Sequence, residues 1–309
     1  MTNNKIIIGT RSSALALWQT EFVVSEIRAS NPAIEIEIKK IKTTGDKILD
    51  VPLAKVGDKG LFVKEIEESL LRGEIDLAVH SMKDVPTNLP SGLCIGAILK
   101  REDNRDVFIS DSFKKIDELP LNASIGTSSL RRIAQLRSFR PDLEFKDLRG
   151  NIQTRLKKMK ELNLDGIILA AAGVKRLGYK DNICQYISYD LILPSVGQGS
   201  IGIEIKSSDD KVRKLIAPLN HDESYWVILG ERALLRRLEG GCQVPIGSWG
   251  RVEKGRLVLD GVIASLDGKK MYKAGLRGEV KDAENIGVKL AEDLLARGGD
   301  KILREIYRS

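Results

Sequence analysis

The sequence predicts an α/β protein made of two similar lobes followed by a smaller α+β portion. Three observations predict it. Strand-like and helix-like runs alternate through most of the chain, the pattern of βαβ units. A short motif recurs, since Ile8-Gly-Thr-Arg-Ser-Ser13 and Ser124-Ile-Gly-Thr-Ser-Ser129 each run a strand into Gly-Thr and a serine able to cap a helix. Beyond Cys242 the pattern changes to two long strands, Arg256 to Leu266 and Met271 to Val280, then a helix capped by Asp282 that stops at Gly298-Gly299.

Within the first lobe, Lys5 to Ile8 reads as a strand, and Leu15, Trp18, Phe22 and Ile27 follow at helical spacing. Ile34, Ile36 and Ile38 alternate with charged residues as a half-exposed strand does. The stretch Lys42 to Gly60 carries three glycines and four lysines, so it reads as a long loop. It is either a solvated surface loop or a lid whose lysines, Lys55 and Lys59 among them, face an anionic ligand. Leu61 to Arg72 reads as an amphipathic helix, and Ile75 to Val79 as a buried strand delivering His80-Ser-Met-Lys-Asp-Val-Pro86 at its carboxyl end, where open α/β sheets bind ligands. Lys83 and Asp84 are either a surface ion pair or part of such a cleft. The second lobe repeats the theme at Gly126 to Arg132 and at Asp147-Leu-Arg-Gly-Asn-Ile-Gln-Thr-Arg155, with Gly166 to Ala170 as a strand and Ala171 to Leu177 as a helix bearing Lys175 and Arg176. Pattern shifts set the boundaries near residues 100 and 220.

Composition narrows the chemistry. The chain has 309 residues, 42% of them hydrophobic, which suffices for two or three ordinary cores. No apolar run reaches the roughly 18 residues of a membrane span, and the first residues lack a signal peptide's apolar centre, so the expected location is the cytoplasm. Three widely spaced cysteines, Cys94, Cys184 and Cys242, and two histidines speak against a disulfide framework, a metal site and histidine-triad chemistry. A net charge of +7 points to an anionic partner. Aromatics are only 5% and no nucleic-acid-reading motif occurs, so a small polyanion fits better than nucleic acid. Val196-Gly-Gln-Gly-Ser-Ile-Gly202 contains the letters of a dinucleotide fingerprint, but Ile201 to Ile205 continues as a strand where that fingerprint requires a helix, and no Walker loop occurs.

Two features point to the site itself. Arg131, Arg132 and Arg155 fall in or beside the first turns of helices, where the dipole disfavours cations. A bound anion, gripped by backbone N–H groups and guanidinium forks together, is the simplest compensation, and on that reading replacing Arg131 or Arg132 leaves the fold intact. The other feature is Leu238-Glu-Gly-Gly-Cys-Gln-Val-Pro-Ile-Gly247, where Gly240 reads as the stop of a helix from Asp222. Cys242 is then either a small buried hydrophobe or a thiol that two glycines leave open to a bulky group. A helix C-terminus disfavours a thiolate, so any activation must come from cations elsewhere.

In order along the chain, Arg11 with Ser13, His80 to Pro86, Gly126 to Arg132, Asp147 to Arg155, Pro194-Ser-Val-Gly-Gln-Gly199 and Gly241-Cys-Gln-Val-Pro-Ile-Gly247 resemble the motifs of the porphobilinogen deaminase, or hydroxymethylbilane synthase, family. The resemblance covers essentially the whole chain and departs mildly, as at Ser200-Ile201. It implies two lobes like those of periplasmic binding proteins, with mixed sheets, and a small α+β C-terminal domain carrying the cysteine. The expected division is residues 1–99 with 200–218, residues 100–199, and residues 219–309; the return of 200–218 to the first lobe follows from the resemblance alone. It further implies a transferase that joins four porphobilinogen molecules into the linear tetrapyrrole hydroxymethylbilane, releasing ammonia, on a self-assembled dipyrromethane cofactor bound through a thioether to Cys242. Asp84 matches the catalytic carboxylate. Ser13, Lys83, Asp84, Thr127, Ser129, Arg131, Arg132 and Arg155 match cofactor-binding positions, and Arg11, Arg149, Arg155 and Arg176 match substrate-binding ones. No metal, nucleotide, nucleic acid or membrane is implied, and the expected state is a monomer. A two-lobed receptor for an anionic metabolite is the alternative class, and the Gly-Gly-Cys motif speaks against it.

Overall fold

The computed structural model describes residues 5–47, 60, 62–239 and 244–308, with the side chains of 46 and 47 excepted. In chain order, strand β1 (Lys5–Thr10), helix α1 (Ala14–Ser30), β2 (Glu35–Lys40), α2 (Lys64–Arg72), β3 (Leu77–Ser81) and β4 (Leu93–Ile98) come first. They are followed by β5 (Asp106–Ile109), β6 (Ser124–Gly126), α3 (Leu130–Phe139), β7 (Glu144–Lys146), α4 (Ile152–Glu161), β8 (Gly166–Ala170), α5 (Ala171–Arg176) and β9 (Gln185–Tyr186). The chain continues with β10 (Ile201–Lys206), α6 (Asp210–Ile216) and α7 (Asp222–Arg237), then β11 (Ile246–Glu253), β12 (Arg256–Ala264), β13 (Met271–Glu279), α8 (Ala283–Leu294) and α9 (Asp300–Arg308).

Two five-stranded mixed sheets share one plan. The first runs β2-β1-β3-β10-β4, parallel through β2, β1 and β3, with β10 antiparallel to both of its neighbours. The second runs β7-β6-β8-β5-β9, parallel through β7, β6 and β8, with β5 antiparallel to both neighbours. Each sheet therefore receives its antiparallel strand from a point where the chain passes from one lobe's sequence to the other's. Close contacts divide the chain accordingly, one unit comprising the described residues up to Glu102 with Gly199–Tyr225, and the other Asp103–Gln198 with Trp226 onward. Strands β11, β12 and β13 form a separate antiparallel sheet.

Apolar packing follows the sequence periodicity. Val23, Val24 and Ile27 of α1 and Val212 and Ile216 of α6 cover one face of the first sheet, and Ile66 and Leu70 of α2 the other. Fully covering both faces is what a sheet with parallel strands requires. In the third sheet, Leu257, Leu259 and Ile263 of β12 meet Leu234 of α7 and Leu290 and Leu294 of α8. Fully buried Glu231 of α7 accepts hydrogen bonds from the backbone N–H of Gly197 and of Gly250, both at 2.8 Å, and ties that helix to β11 and to the loop before β10. Among the described residues no helix is long and apolar enough to cross a membrane.

Glu239, past the end of α7, takes a left-handed φ of 52°, and the Tyr307 hydroxyl donates to its carbonyl at 2.6 Å; Gly240, the expected stop, lies outside the described residues. Two local expectations change. Asp282 stands at the start of α8 but its side chain makes no capping hydrogen bond. The chain does not stop at Gly298-Gly299: Gly298 takes φ 119° and α9 follows, its Ile302 and Leu303 packing into the apolar core of this domain. Glycine makes that kink possible because a Cβ at Gly298 would lie 2.6 Å from the Tyr272 hydroxyl.

Candidate active site

The candidate residues of the first unit gather beyond the carboxyl ends of its parallel strands. Arg11 follows β1 directly, with its guanidinium 4.2 Å from the centre of the Phe62 ring. Ser13 caps α1, accepting from the Ala16 N–H at 3.3 Å. Beyond β3 the chain makes a single tight turn over Met82–Asp84, which leaves Lys83 and Asp84 exposed. The turn is fastened from behind. Met82 N–H donates to Ser200 O at 3.0 Å, and the buried Met82 side chain occupies the space beside Gly202, where a Cβ would fall 2.1 Å from its sulfur. Gln19 Nε2 donates to Ser81 Oγ at 2.8 Å. Arg11, Ser13, Gln19, Phe62, His80 and Asp84 line one small cavity of about 50 Å³. A wider, open groove of about 480 Å³ between α1 and β2, lined by Val24, Arg28 and Ile36 among others, contains none of the candidate residues.

Behind the same turn lies a buried polar group. His80 Nε2 is 2.9 Å from Glu204 Oε2, with both side chains almost fully enclosed. The register explains the pairing: His80 stands opposite Gly202 and Ala78 opposite Glu204, so His80 and Glu204 are diagonal neighbours on one face of the sheet. Glu67 of α2 is 7% exposed. Burial, and next the charge of Glu204, push its carboxyl up to about 7, against the pull of His80.

The second unit presents loops in the equivalent places. Thr127, after β6, is buried and its Oγ1 accepts from the Ser129 N–H at 3.3 Å. Ser129 caps α3, its Oγ 3.5 Å from the Arg132 N–H. Ser128 binds both the N–H and the carbonyl of Leu148, at 3.0 and 2.9 Å, and so joins this loop to the one after β7. In that second loop Arg149 Nε donates to Asp147 at 3.1 Å, and Arg155, in the first turn of α4, donates through Nε to the Gly150 carbonyl at 2.8 Å. Arg176 stands in the last turn of α5.

Arg131 and Arg132 require a correction to the dipole argument. Both are buried, at 6% exposure each, and the anion that compensates them belongs to the chain. Arg131 Nη1 donates to Asp106 Oδ2 at 2.8 Å and to Leu193 O at 2.7 Å, while Arg132 donates to Asp106 Oδ1 at 2.7 Å and to Ile168 O at 2.8 Å. Gln198 Nε2 adds a third bond to Asp106 at 3.0 Å. Burial opposes ionisation of Asp106, but the two guanidinium charges and their hydrogen bonds outweigh it and hold the carboxyl well below its ordinary range. The group still carries two cations to one carboxylate, and Arg132 Nε is buried without a partner. A positive surplus therefore remains at the start of α3.

Two matches to family models cover most of the chain: "Porphobilinogen deaminase, dipyromethane cofactor binding domain" over residues 6–214 and "Porphobilinogen deaminase, C-terminal domain" over residues 225–296. The chain belongs to the porphobilinogen deaminase family. It is 56% identical over 304 residues to a porphobilinogen deaminase of Carboxydothermus hydrogenoformans, covering 98% of each chain. It is 54% identical to that of Geobacter sulfurreducens, covering all of this chain and 96% of the relative, and 55% identical to that of Syntrophomonas wolfei, covering 96% and 97%.

Cys242, Lys55 and Lys59, which the family resemblance or the loop composition singled out, lie outside the described residues. Cys94 and Cys184 are described and partly buried. Reading the sequence alone missed Asp106, Gln198, Glu67 and Glu204. Only Gln198 stood within a quoted motif; Asp106 and Glu204 lie on strands whose sidedness depends on register, and Glu67 lies on the buried face of α2.

Proposed function

We propose that this chain deaminates and polymerises four porphobilinogen molecules into hydroxymethylbilane, using a dipyrromethane bound by a thioether to Cys242 as primer. The observation that supports it most directly is the cavity at the ends of β1 and β3, where Asp84 stands with Arg11, Ser13 and His80, in a chain of this family. The donor set fits a polyanionic pyrrole chain. Arginines offer planar forks to acetate and propionate groups, and the capped start of α3 adds backbone N–H groups beside a positive surplus. We assign Ser13, Lys83, Thr127, Ser129, Arg131, Arg132 and Arg155 to the cofactor carboxylates and polar edges, and Arg11, Arg149, Arg155 and Arg176 to substrate carboxylates. When bound, the dipyrromethane supplies the free pyrrole carbon to which the first substrate unit is joined.

Asp84 is assigned the chemistry. As porphobilinogen loses ammonia from its aminomethyl carbon, positive charge spreads to the pyrrole nitrogen, and a carboxylate beside that N–H stabilises it. After the new carbon–carbon bond forms, the attacked ring must lose a proton, for which Asp84 is the assigned acceptor. Phe62, stacked on Arg11, lines the same cavity and adds an apolar wall beside these charges. The division proposed for the chain is residues 1–99 with 200–218, 100–199 and 219–309. A cytoplasmic monomer that binds neither membrane nor nucleic acid completes the reading.

Intact mass of the purified protein tests it. The expected result is an excess equal to one dipyrromethane, lost in Cys242→Ser and kept in Cys94→Ser and Cys184→Ser. An adduct on either other cysteine, or active protein with none, overturns the assignment.

A further inference from the structure

Glu67 and Glu204 present an electrostatic problem that the proposed chemistry does not use. Each has one carboxylate oxygen, Oε1 in both, that is buried and has no hydrogen-bond partner. Burying one unpaired carboxylate oxygen is costly, and burying two on mutually repelling groups is more so. A proton held between two carboxylates relieves both costs, since it supplies a donor to one acceptor and removes a charge.

The surroundings allow that proton no other obvious owner. Helix α2, which carries Glu67, packs over the first sheet, and its neighbours Ile7 of β1 and Leu93 of β4 are apolar. Helix α2 packs against β3 and β10, and Ala78, two residues before His80 and so on the same face of β3, packs with the helix's Ile66 and Leu70; the charges of Glu204 and His80 both act on the Glu67 carboxyl. On its own helix Lys64 and Glu68 point to solvent, and Glu65 is engaged by the N–H and hydroxyl of Thr44 at 2.8 and 2.5 Å. His80 in turn immediately precedes the turn that bears Asp84 and lines the same cavity.

We propose that Glu67 and Glu204 share one proton and that this pair holds His80 as a positioning residue for the Ser81–Asp84 turn. This rests on the reading of Asp84 as the catalytic carboxylate. The device needs Glu67 neutral and Glu204 hydrogen-bonded to the imidazole. Ionising Glu67 would put a second negative charge behind the turn, draw the imidazole toward it, and move the backbone on which Asp84 rides. Because stabilisation of developing charge depends on placement, a shift of about 1 Å there is enough to slow the reaction substantially.

Glu67→Gln, a neutral isostere, and His80→Phe, which keeps a ring and loses the bond to Glu204, separate the possibilities in the full-length protein with its cofactor content checked by mass. In Glu67→Gln the expected turnover with porphobilinogen at neutral pH is within a few-fold of wild type, and the infrared carbonyl band of a protonated buried carboxyl, present in wild type, is absent. In His80→Phe kcat is expected to fall on the order of tenfold or more with KM little changed, and His80→Gln to recover part of it. Collapse of kcat in Glu67→Gln would overturn the proposal by showing that the anion is required. So would an infrared band unaffected by the substitution, or a wild-type kcat in His80→Phe. Wild-type protein that releases no ammonia from porphobilinogen would instead overturn the reading of function, while the infrared result would still decide whether the proton is shared.

Discussion

The two five-stranded sheets have the same strand order, and each antiparallel strand carries a fully buried carboxylate, yet the two are balanced differently. On β5, Asp106 is held by two guanidiniums and an amide. On β10, Glu204 lies 2.9 Å from an imidazole, and its charge helps raise the carboxyl of Glu67. Arginine stays charged at any pH a protein tolerates, so the Asp106 group is a fixed ionic clamp. Burial and the charge of Glu204 push the Glu67 carboxyl up to about 7, so the Glu204 group is adjustable. The same topological position thus serves as a rigid anchor for cationic side chains in one lobe and as a support sensitive to proton balance in the other.

The largest test of this contrast removes one cation. Arg132→Leu leaves Asp106 half-paired in a fully buried site, and losing one partner of a buried pair typically costs about 3–5 kcal/mol. The sequence alone suggested the opposite, survival of the fold, because it placed the compensating anion in a ligand. Chemical denaturation of the cofactor-free protein should show the loss. An unfolding midpoint equal to wild type would mean that the clamp carries no net stability and that Arg132 is held only for its ligand.

Glu204→Gln asks the same of the other lobe. A glutamine keeps an acceptor for His80 and introduces no bare charge, so the expected cost is about 1–2 kcal/mol, the scale of one altered hydrogen bond. Should it equal the cost of Arg132→Leu, the His80–Glu204 pair is a fixed ion pair and the contrast between lobes fails.

The pH response has opposite signs in the two groups. Asp106 has a depressed folded pKa, so its contribution is present above the unfolded carboxyl range and lost only as pH falls toward the folded value. Glu67 has a raised one: its contribution is complete below the unfolded value and is lost as pH rises through about 7. Stability measured by chemical denaturation from acid pH up to neutrality should therefore fall with rising pH in wild type relative to Glu67→Gln, by about 3 kcal/mol at full ionisation. Parallel pH profiles for the two proteins would show that Glu67 ionises as an ordinary surface carboxylate does.

The smallest expected effect is one that the lobes share. Ser13→Ala and Ser129→Ala each delete a helix cap, at about 1 kcal/mol apiece. Comparable losses would show that the lobes differ in their buried charges and not in how their loops start helices; a much larger loss at Ser129 would place the cap within the Arg132 clamp.

What the sequence determined by itself is mostly local. Apolar periodicity gave the alternating strands and helices, the recurring Gly-Thr-Ser start gave the two similar lobes, and the motif at His80 to Pro86 put Asp84 at a strand's carboxyl end, because backbone preference and side-chain period act over a few residues. Even the helix caps at Ser13 and Ser129 were legible. Tertiary structure alone decided where the buried charges go. Asp106 is 25 residues from Arg131, and Glu204 is 124 residues from His80. These pairs exist only because β5 and β10 insert antiparallel between strands distant in sequence, in a register that turns each carboxylate inward. Helix α9 was missed for a related reason, since Gly298-Gly299 reads as a stop, and only the apolar surface of β12, α7 and α8 gives the next turn something to bury against. Charge compensation and burial depend on which surfaces meet, and no local pattern records that.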